Sequence, residues 1–218
     1  MKSMLIIGMG RFGQHLCRNL SELGHQIMII DKEEDRLEEM LAYSEEAKIG
    51  DCTNIEVLKS LGVGNYDAVF VCIGTDFQSS LEATSLLKEL GAKYVVSKAT
   101  RDIQAKFLLR NGADEVIYPD RDIAMKTAIR YSSNHIFDFI EFTDNYSIYE
   151  ISAPKEWVGK SIKELDIRNK LGINIIGIKK AGKEHILPRA TDFIEKEAHL
   201  MVISDEESIQ KLIREMGN

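Results

Sequence analysis

The chain has 218 residues, too many for a single mononucleotide-binding half-fold and too few for a dehydrogenase with a full catalytic domain, since domains commonly run to about 100–150 residues. Hydrophobic residues make up 44% and charged residues 29%, a composition that fills a core and argues against disorder. The formal net charge of −7 argues against nucleic acid or an anionic membrane surface as the main partner, because either selects for a basic patch and no Lys/Arg run supplies one.

Met1-Lys2 leads straight into the apolar run Met4-Leu5-Ile6-Ile7, with neither an h-region of signal-peptide length nor a cleavage-site pattern. No stretch approaches the ~20 apolar residues that span a bilayer. A soluble, cytoplasmic protein is expected. The cysteines are Cys17, Cys52 and Cys72; their odd number and the lack of CxxC or Cys/His spacing suggest neither disulfides nor zinc. They read as reduced, partly buried thiols, with a redox role open for Cys52, which falls in a loop after a strand.

From Met4 to Pro119 short β-rich runs alternate with longer amphipathic stretches, the pattern of βαβ units around a parallel sheet. Strands are expected at Met4–Gly8, Gln26–Asp31, Ala47–Gly50, Ala68–Cys72, Tyr94–Ser97 and Glu115–Tyr118. Helices are expected at Arg11–Leu23, Glu33–Tyr43, Ile55–Leu61, Phe77–Leu90 and Ile103–Asn111, several of them ending at a glycine suited to a C-terminal cap. A further helix, Asp122–Ser132, dissolves into Ser-Ser-Asn, which marks the hinge and a boundary at 135/136. Beyond it, strands at Ile136–Phe142, Ile148–Ile151, Gly172–Ile178 and Leu200–Ile203, with helices at Ser161–Leu165 and Glu206–Met216, form a small α+β domain. The expected fold class is α/β, a Rossmann-type parallel sheet with a second, smaller α+β domain.

Gly8-Met9-Gly10-Arg11-Phe12-Gly13 is a GxGxxG between an expected strand and an expected helix. Gly8 permits the tight turn, Gly10 lets a pyrophosphate approach the backbone, and Gly13 lets the helix pack on the strand. The N–H groups at the helix start then bind phosphate. Asp31 ends the second strand about 20 residues beyond the glycines, where a carboxylate accepts from ribose hydroxyls and repels a 2′-phosphate, which disfavours NADP. Asp51-Cys52-Thr53 and Gly74-Thr75-Asp76 follow the third and fourth strands, at the carboxyl ends where the ligand crevice of such a sheet lies. Helix capping and turn chemistry are equally open for Asp51 and Asp76. Arg11 stands free to meet a terminal phosphate. Phe12, inside the glycine motif, and Lys32, beside Asp31, complete the candidate set.

A dehydrogenase needs a general acid or base near the nicotinamide. None of His15, His25, His135, His185 and His199 has a convincing catalytic context, the last three without a recognisable carboxylate partner, and no GxSxG, P-loop lysine or HExxH motif is present. A small NAD-dependent oxidoreductase is the alternative reading; a non-catalytic binding protein is favoured. A DNA-binding sensor would need a basic recognition helix, and none is apparent.

Together, the glycine motif with Arg11, Asp31, Gly50-Asp51-Cys52-Thr53, the Ala113-Asp114-Glu115-Val116-Ile117-Tyr118-Pro119 segment ahead of a long helix, and Leu165-Asp166-Ile167-Arg168 resemble the RCK (KTN, TrkA-type) proteins. These are cytosolic regulatory subunits of bacterial Trk/Ktr potassium uptake systems. The likeness covers essentially the whole chain, and the domain order resembles the Ktr type.

The resemblance implies a nucleotide-binding domain over 1–135 that takes ATP, ADP or NAD(H), and a TrkA-C domain over 136–218. It implies homodimers that assemble into a larger ring, an octamer, docked under a membrane potassium-translocating subunit, so that a cytoplasmic chain is held peripherally at the membrane. Nucleotide contacts carry over to Gly8, Gly10, Arg11, Gly13, Asp31, Asp51 and Cys52, with Arg11 facing the γ-phosphate held by a neighbouring protomer. Asp120 matches a position that binds a divalent cation (Mg or Ca) between protomers; here an aspartate replaces the longer glutamate, and a helix N-cap is the competing role. Ile162, Asp166, Ile167, Arg168, Asn174 and Pro188 resemble a cyclic di-AMP pocket at the small domain's dimer interface. Core packing for Ile162 and Ile167, and an Asp166–Arg168 ion pair, are the competing account.

Overall fold

Met4-Leu5-Ile6-Ile7 is buried along its whole length, as a strand covered on both faces requires, and the first sheet is built outward from it. The computed structural model describes residues 1–143, 145–180 and 183–217, with the side chains of 180 and 183–186 outside that description. The chain divides into two units, Met1–Arg121 and Asp122–Asn218.

The first unit runs β1 (Ser3–Ile7), α1 (Arg11–Glu22), β2 (Gln26–Asp31), α2 (Glu34–Glu38), β3 (Glu46–Ile49), α3 (Ile55–Leu61), β4 (Ala68–Val71), α4 (Phe77–Glu89), β5 (Val95–Lys98), α5 (Asp102–Arg110) and β6 (Glu115–Ile117), with α6 (Pro119–Tyr131) leaving it. All pairings are parallel and the strand order is β3-β2-β1-β4-β5-β6. This is the doubly wound order, whose crevice opens where the winding reverses, between β1 and β4. The edge strand β3 carries Glu46 and Lys48 and is largely exposed, as an edge that must not recruit another chain should be. The expected helix at Glu33–Tyr43 is broken: α2 stops at Glu38 and a 3-10 turn covers Leu41–Tyr43. The break buries both Leu37 and Met40 while Leu41 stays 56% exposed.

The second unit contains β7 (Ile136–Glu141), β8 (Ser147–Ser152), α7 (Ile162–Leu165), α8 (Ile167–Leu171), β9 (Asn174–Lys180), β10 (Lys183–Ile186), β11 (His199–Ser204) and α9 (Glu206–Met216). The sheet is antiparallel, in the order β10-β9-β11-β8-β7. Tyr149, Ile151, Leu200 and Val202 pack with Leu165, Ile167 and the α9 face Ile209-Leu212-Ile213. Ser161 starts α7 with a reciprocal capping box to Glu164, worth about 1 kcal/mol. α8 and β10 were not expected from the sequence. The units divide inside α6, a helix that a boundary at 135/136 places wholly in the first domain; Ile129 of that helix packs on the second unit's core.

The site is positioned by the β1–α1 junction. Gly8 has φ +93°, and a Cβ on Gly13 would lie 2.1 Å from the Gly8 carbonyl oxygen. Helix and turn are therefore in backbone contact. Gly13→Ala should destabilise the protein by about 1–3 kcal/mol in denaturant unfolding; a variant as stable as the parent would show that α1 lifts off the turn freely.

Candidate functional site

A cleft of about 630 Å³ opens over the carboxyl ends of β1, β2 and β4, within the size range of small-molecule sites. Gly8, Gly10, Arg11, Phe12, Asp31, Lys32, Asp51, Cys52, Gly74 and Asp76 all line it. Gly13 does not; it acts through the α1 packing described above. Thr53 also stays outside the lining and serves Asp51 instead.

The glycine turn fits a phosphate. Apart from its immediate chain neighbours and its own helix backbone, no atom of the described residues lies within 4 Å of where a Cβ on Gly10 would stand, so the backbone is open to close approach. Gly10 caps α1 without a side-chain hydrogen bond, and the first turn holds no acidic residue. The N–H groups there are left for an anion, favoured further by the positive end of the helix dipole.

Asp31 is buried and its carboxylate is held on both oxygens. Met9 N–H donates to Oδ2 at 2.6 Å and Glu33 N–H donates to Oδ1 at 2.9 Å. Arg36 Nη1 lies 3.8 Å from Oδ2, while Arg36 Nη2 pairs with Glu33 Oε1 at 2.9 Å.

Asp51 accepts from the Thr53 N–H at 2.9 Å and hydroxyl at 2.8 Å. These two bonds, the backbone one first, hold its carboxyl below the usual range. Asp76 caps α4, accepting from the Ser79 hydroxyl at 2.6 Å and N–H at 3.1 Å; its carboxyl is likewise lowered, chiefly by the Ser79 hydroxyl. Turn and cap chemistry thus occupies both aspartates, which still face the cleft. Cys52 and Cys72 are buried, and burial pushes each thiol up to about 12, with the Asp51 and Asp31 carboxylates adding to the effect at Cys52.

Sequence reading missed Gln14, Glu33, Arg36, Ser79, Lys98 and Thr100 of the lining. Lys98, at the end of β5, places Nζ 5.6 Å from the Phe12 ring centroid, a cation–π distance. A side chain on Gly74 would meet that Nζ at 3.3 Å. Position at the carboxyl end of a strand was the available signal for Lys98, and spacing of five residues beyond Asp31 was the signal for Arg36.

The chain matches the TrkA-N domain over residues 4–119 and the TrkA-C domain over residues 146–217. The chain belongs to the RCK (TrkA) family. It is of the Ktr type: it is 40% identical to Ktr system potassium uptake protein C of Bacillus subtilis, over 96% of this chain and 95% of that relative. It is 33% identical to Ktr system potassium uptake protein A of the same organism, over 98% of this chain and 96% of that protein. In fold it is similar to the GsuK channel bound to NAD, with a TM-score of 0.70 at 18% identity over all of this chain and 40% of that one.

In this RCK chain the second candidate set sits on α7, α8 and their surroundings. Ile167 is 4% exposed and belongs to the core, with half-buried Ile162 packed against it, so the core-packing account applies to both. Asp166 joins α7 to α8 at φ 49° and accepts from Asn169 Nδ2 at 2.7 Å. Arg168 and Asn174 are exposed and Pro188 is half-buried. Backbone bonds from Ile162 N–H to Asp192 O at 3.0 Å and from Lys163 N–H to Ala190 O at 2.8 Å hold the segment after Pro188 along α7.

Asp120 is exposed in the first turn of α6, behind Pro119 at its first position. It is inside the helix rather than its N-cap, where a negative charge favours the dipole. Among the described residues no group of three or more His, Cys, Asp or Glu is placed to hold a metal ion. Among them, too, no helix is long and apolar enough to cross a membrane.

His199 does have a carboxylate partner, contrary to the sequence reading: Nδ1 lies 2.7 Å from Glu150 Oε1, across the β8–β11 pairing and outside the cleft. His135 bridges the Ser152 hydroxyl and the Gly217 carbonyl, each at 2.8 Å. The side chain of His185 lies outside the described residues.

Removing the Asp31 carboxylate leaves the Met9 N–H buried without its acceptor. Asp31→Ala should therefore destabilise the unliganded protein by about 1–3 kcal/mol, read by denaturant unfolding, and an unchanged midpoint would show that the turn holds itself.

Proposed function

We propose that this chain is the nucleotide-sensing, non-catalytic gating subunit of a potassium uptake system, working at the cytoplasmic side of a membrane potassium-translocating subunit. The observation that carries this reading is the uncapped α1 N-terminus behind an open Gly10, facing a cleft whose ribose end holds a buried aspartate, in a chain of the Ktr type. The ligand is ATP, ADP or NAD(H), with phosphates at the glycine turn and ribose at Asp31. The relatives it matches at 40% and 33% identity are potassium uptake proteins, and among the described residues the lining of the cleft includes no His or Tyr, so the oxidoreductase alternative is not favoured.

Gating then follows from differential binding. A nucleotide shifts a ring between two shapes only by the difference in its affinity for them. Homodimers assembled into an octameric ring supply the two shapes, and Arg11, exposed at the mouth of the cleft, supplies the difference when it meets the γ-phosphate of a neighbouring protomer's ATP. A divalent cation at Asp120 would draw its remaining ligands from a second protomer.

In the TrkA-C domain, cyclic di-AMP would use the exposed Arg168 for phosphate and, because Ile167 lies in the core, Ile162 and Pro188 for its apolar seat. Asp166 and Asn174 complete that site, and a two-fold symmetric ligand needs both copies of it.

Titration calorimetry of the purified chain against ATP, ADP, NADH and cyclic di-AMP tests the reading. Arg11→Ala should weaken ATP by about tenfold more than ADP or NADH, since a charge-assisted bond to the terminal phosphate is the one removed; equal losses would remove that role. Arg168→Ala should abolish cyclic di-AMP binding and leave ATP affinity at parent level, and binding that survives the substitution would clear Arg168 of phosphate contact.

A further inference from the structure

The ribose end of the cleft carries more charge than one aspartate. Asp31 is fixed by the Met9 and Glu33 N–H groups, and the Arg36 guanidinium stands 3.8 Å from Asp31 Oδ2. In this fold the side chain at the end of the second strand meets the adenosine ribose, and where a 2′-phosphate is accepted an arginine nearby receives it. Arg36 stands at that place. Its charge is already countered, because Glu33 Oε1 pairs with it at 2.9 Å while Asp31 faces its other nitrogen. Lys32 lines the same cleft, but Arg36 is the cation paired with Glu33 and facing Asp31.

We propose that Glu33 is a specificity-determining residue that keeps Arg36 paired, so that the site admits nucleotides with a free 2′-hydroxyl and turns away 2′-phosphorylated ones. This rests on the nucleotide-sensing reading and adds to it a second carboxylate and a sequestered cation. Asp31 repels the 2′-phosphate directly. Glu33 acts by withholding its counter-charge. Arg36 is 45% and Glu33 56% exposed in their side chains, so both can reorient without disturbing the core, and either substitution leaves the fold testable.

The experiment uses the full chain and matched ligands that differ only by the 2′-phosphate: NADH with NADPH, and ADP with its 2′-phosphorylated analogue. The readout is the ratio of dissociation constants within each pair. Glu33→Gln should lower the phosphorylated-to-unphosphorylated ratio by about tenfold at low salt, less at high salt, as expected for one partly screened unit charge. Adding Arg36→Ala to that variant should return the ratio to the parent value or above it. A ratio unmoved by Glu33→Gln, or a gain that persists without Arg36, overturns the proposal while leaving the nucleotide site intact. Parent protein that binds none of the four ligands overturns the nucleotide reading itself.

Discussion

One buried carboxylate holds the nucleotide cleft in shape. Asp31 reaches from the end of β2 to the turn after β1, and it can do so because the two strands run parallel with Ile7 beside Ile30, so both chains leave the sheet on the same edge. The Met9 N–H it accepts belongs to a residue with no solvent exposure and has no water to fall back on. A carboxylate offers about four lone-pair sites, and two are spent on the backbone. The remaining capacity faces the cleft, so a ribose placed there would share its acceptor with the turn that cradles the phosphates. Under the proposed ribose contact, binding and loop geometry would be coupled through one side chain.

The features most legible in the sequence were those set by local chemistry. The apolar runs of β1, β2 and β4, the glycine spacing and the acid at the end of β2 each depend on a few adjacent residues, and the structure places them as expected. For Lys98 the strand end was legible but the contact was not, because closeness to Phe12 depends on β5 lying beside β4 in the sheet, which pattern alone does not give. The Glu150–His199 pair, 49 residues apart, depends in the same way on strand pairing. α8 escaped notice for another reason: its start is a non-glycine residue in the left-handed region, Asp166, where a helix is ordinarily read as finished.

The second candidate set shows residue types that suit two roles at once. Ile162 and Ile167 both suit an adenine seat by chemistry, but in short helices such as α7 and α8 each apolar residue is also needed to attach the helix to the sheet. Packing claims Ile167 outright and Ile162 in part. Polar neighbours at the helix joint, Asp166 and Asn169, are similarly engaged with each other. What stays free to meet a ligand is the exposed Arg168, together with surface that a second copy would have to complete.

Cys52 and Cys72 stand in the lining of the cleft with thiols raised far above neutrality. A protonated thiol is a poor nucleophile, so peroxide, disulfides and alkylating reagents find little thiolate to attack there. The sulfur atoms act as small apolar fillers in the wall of the cleft, and their burial tells against the redox role left open for Cys52.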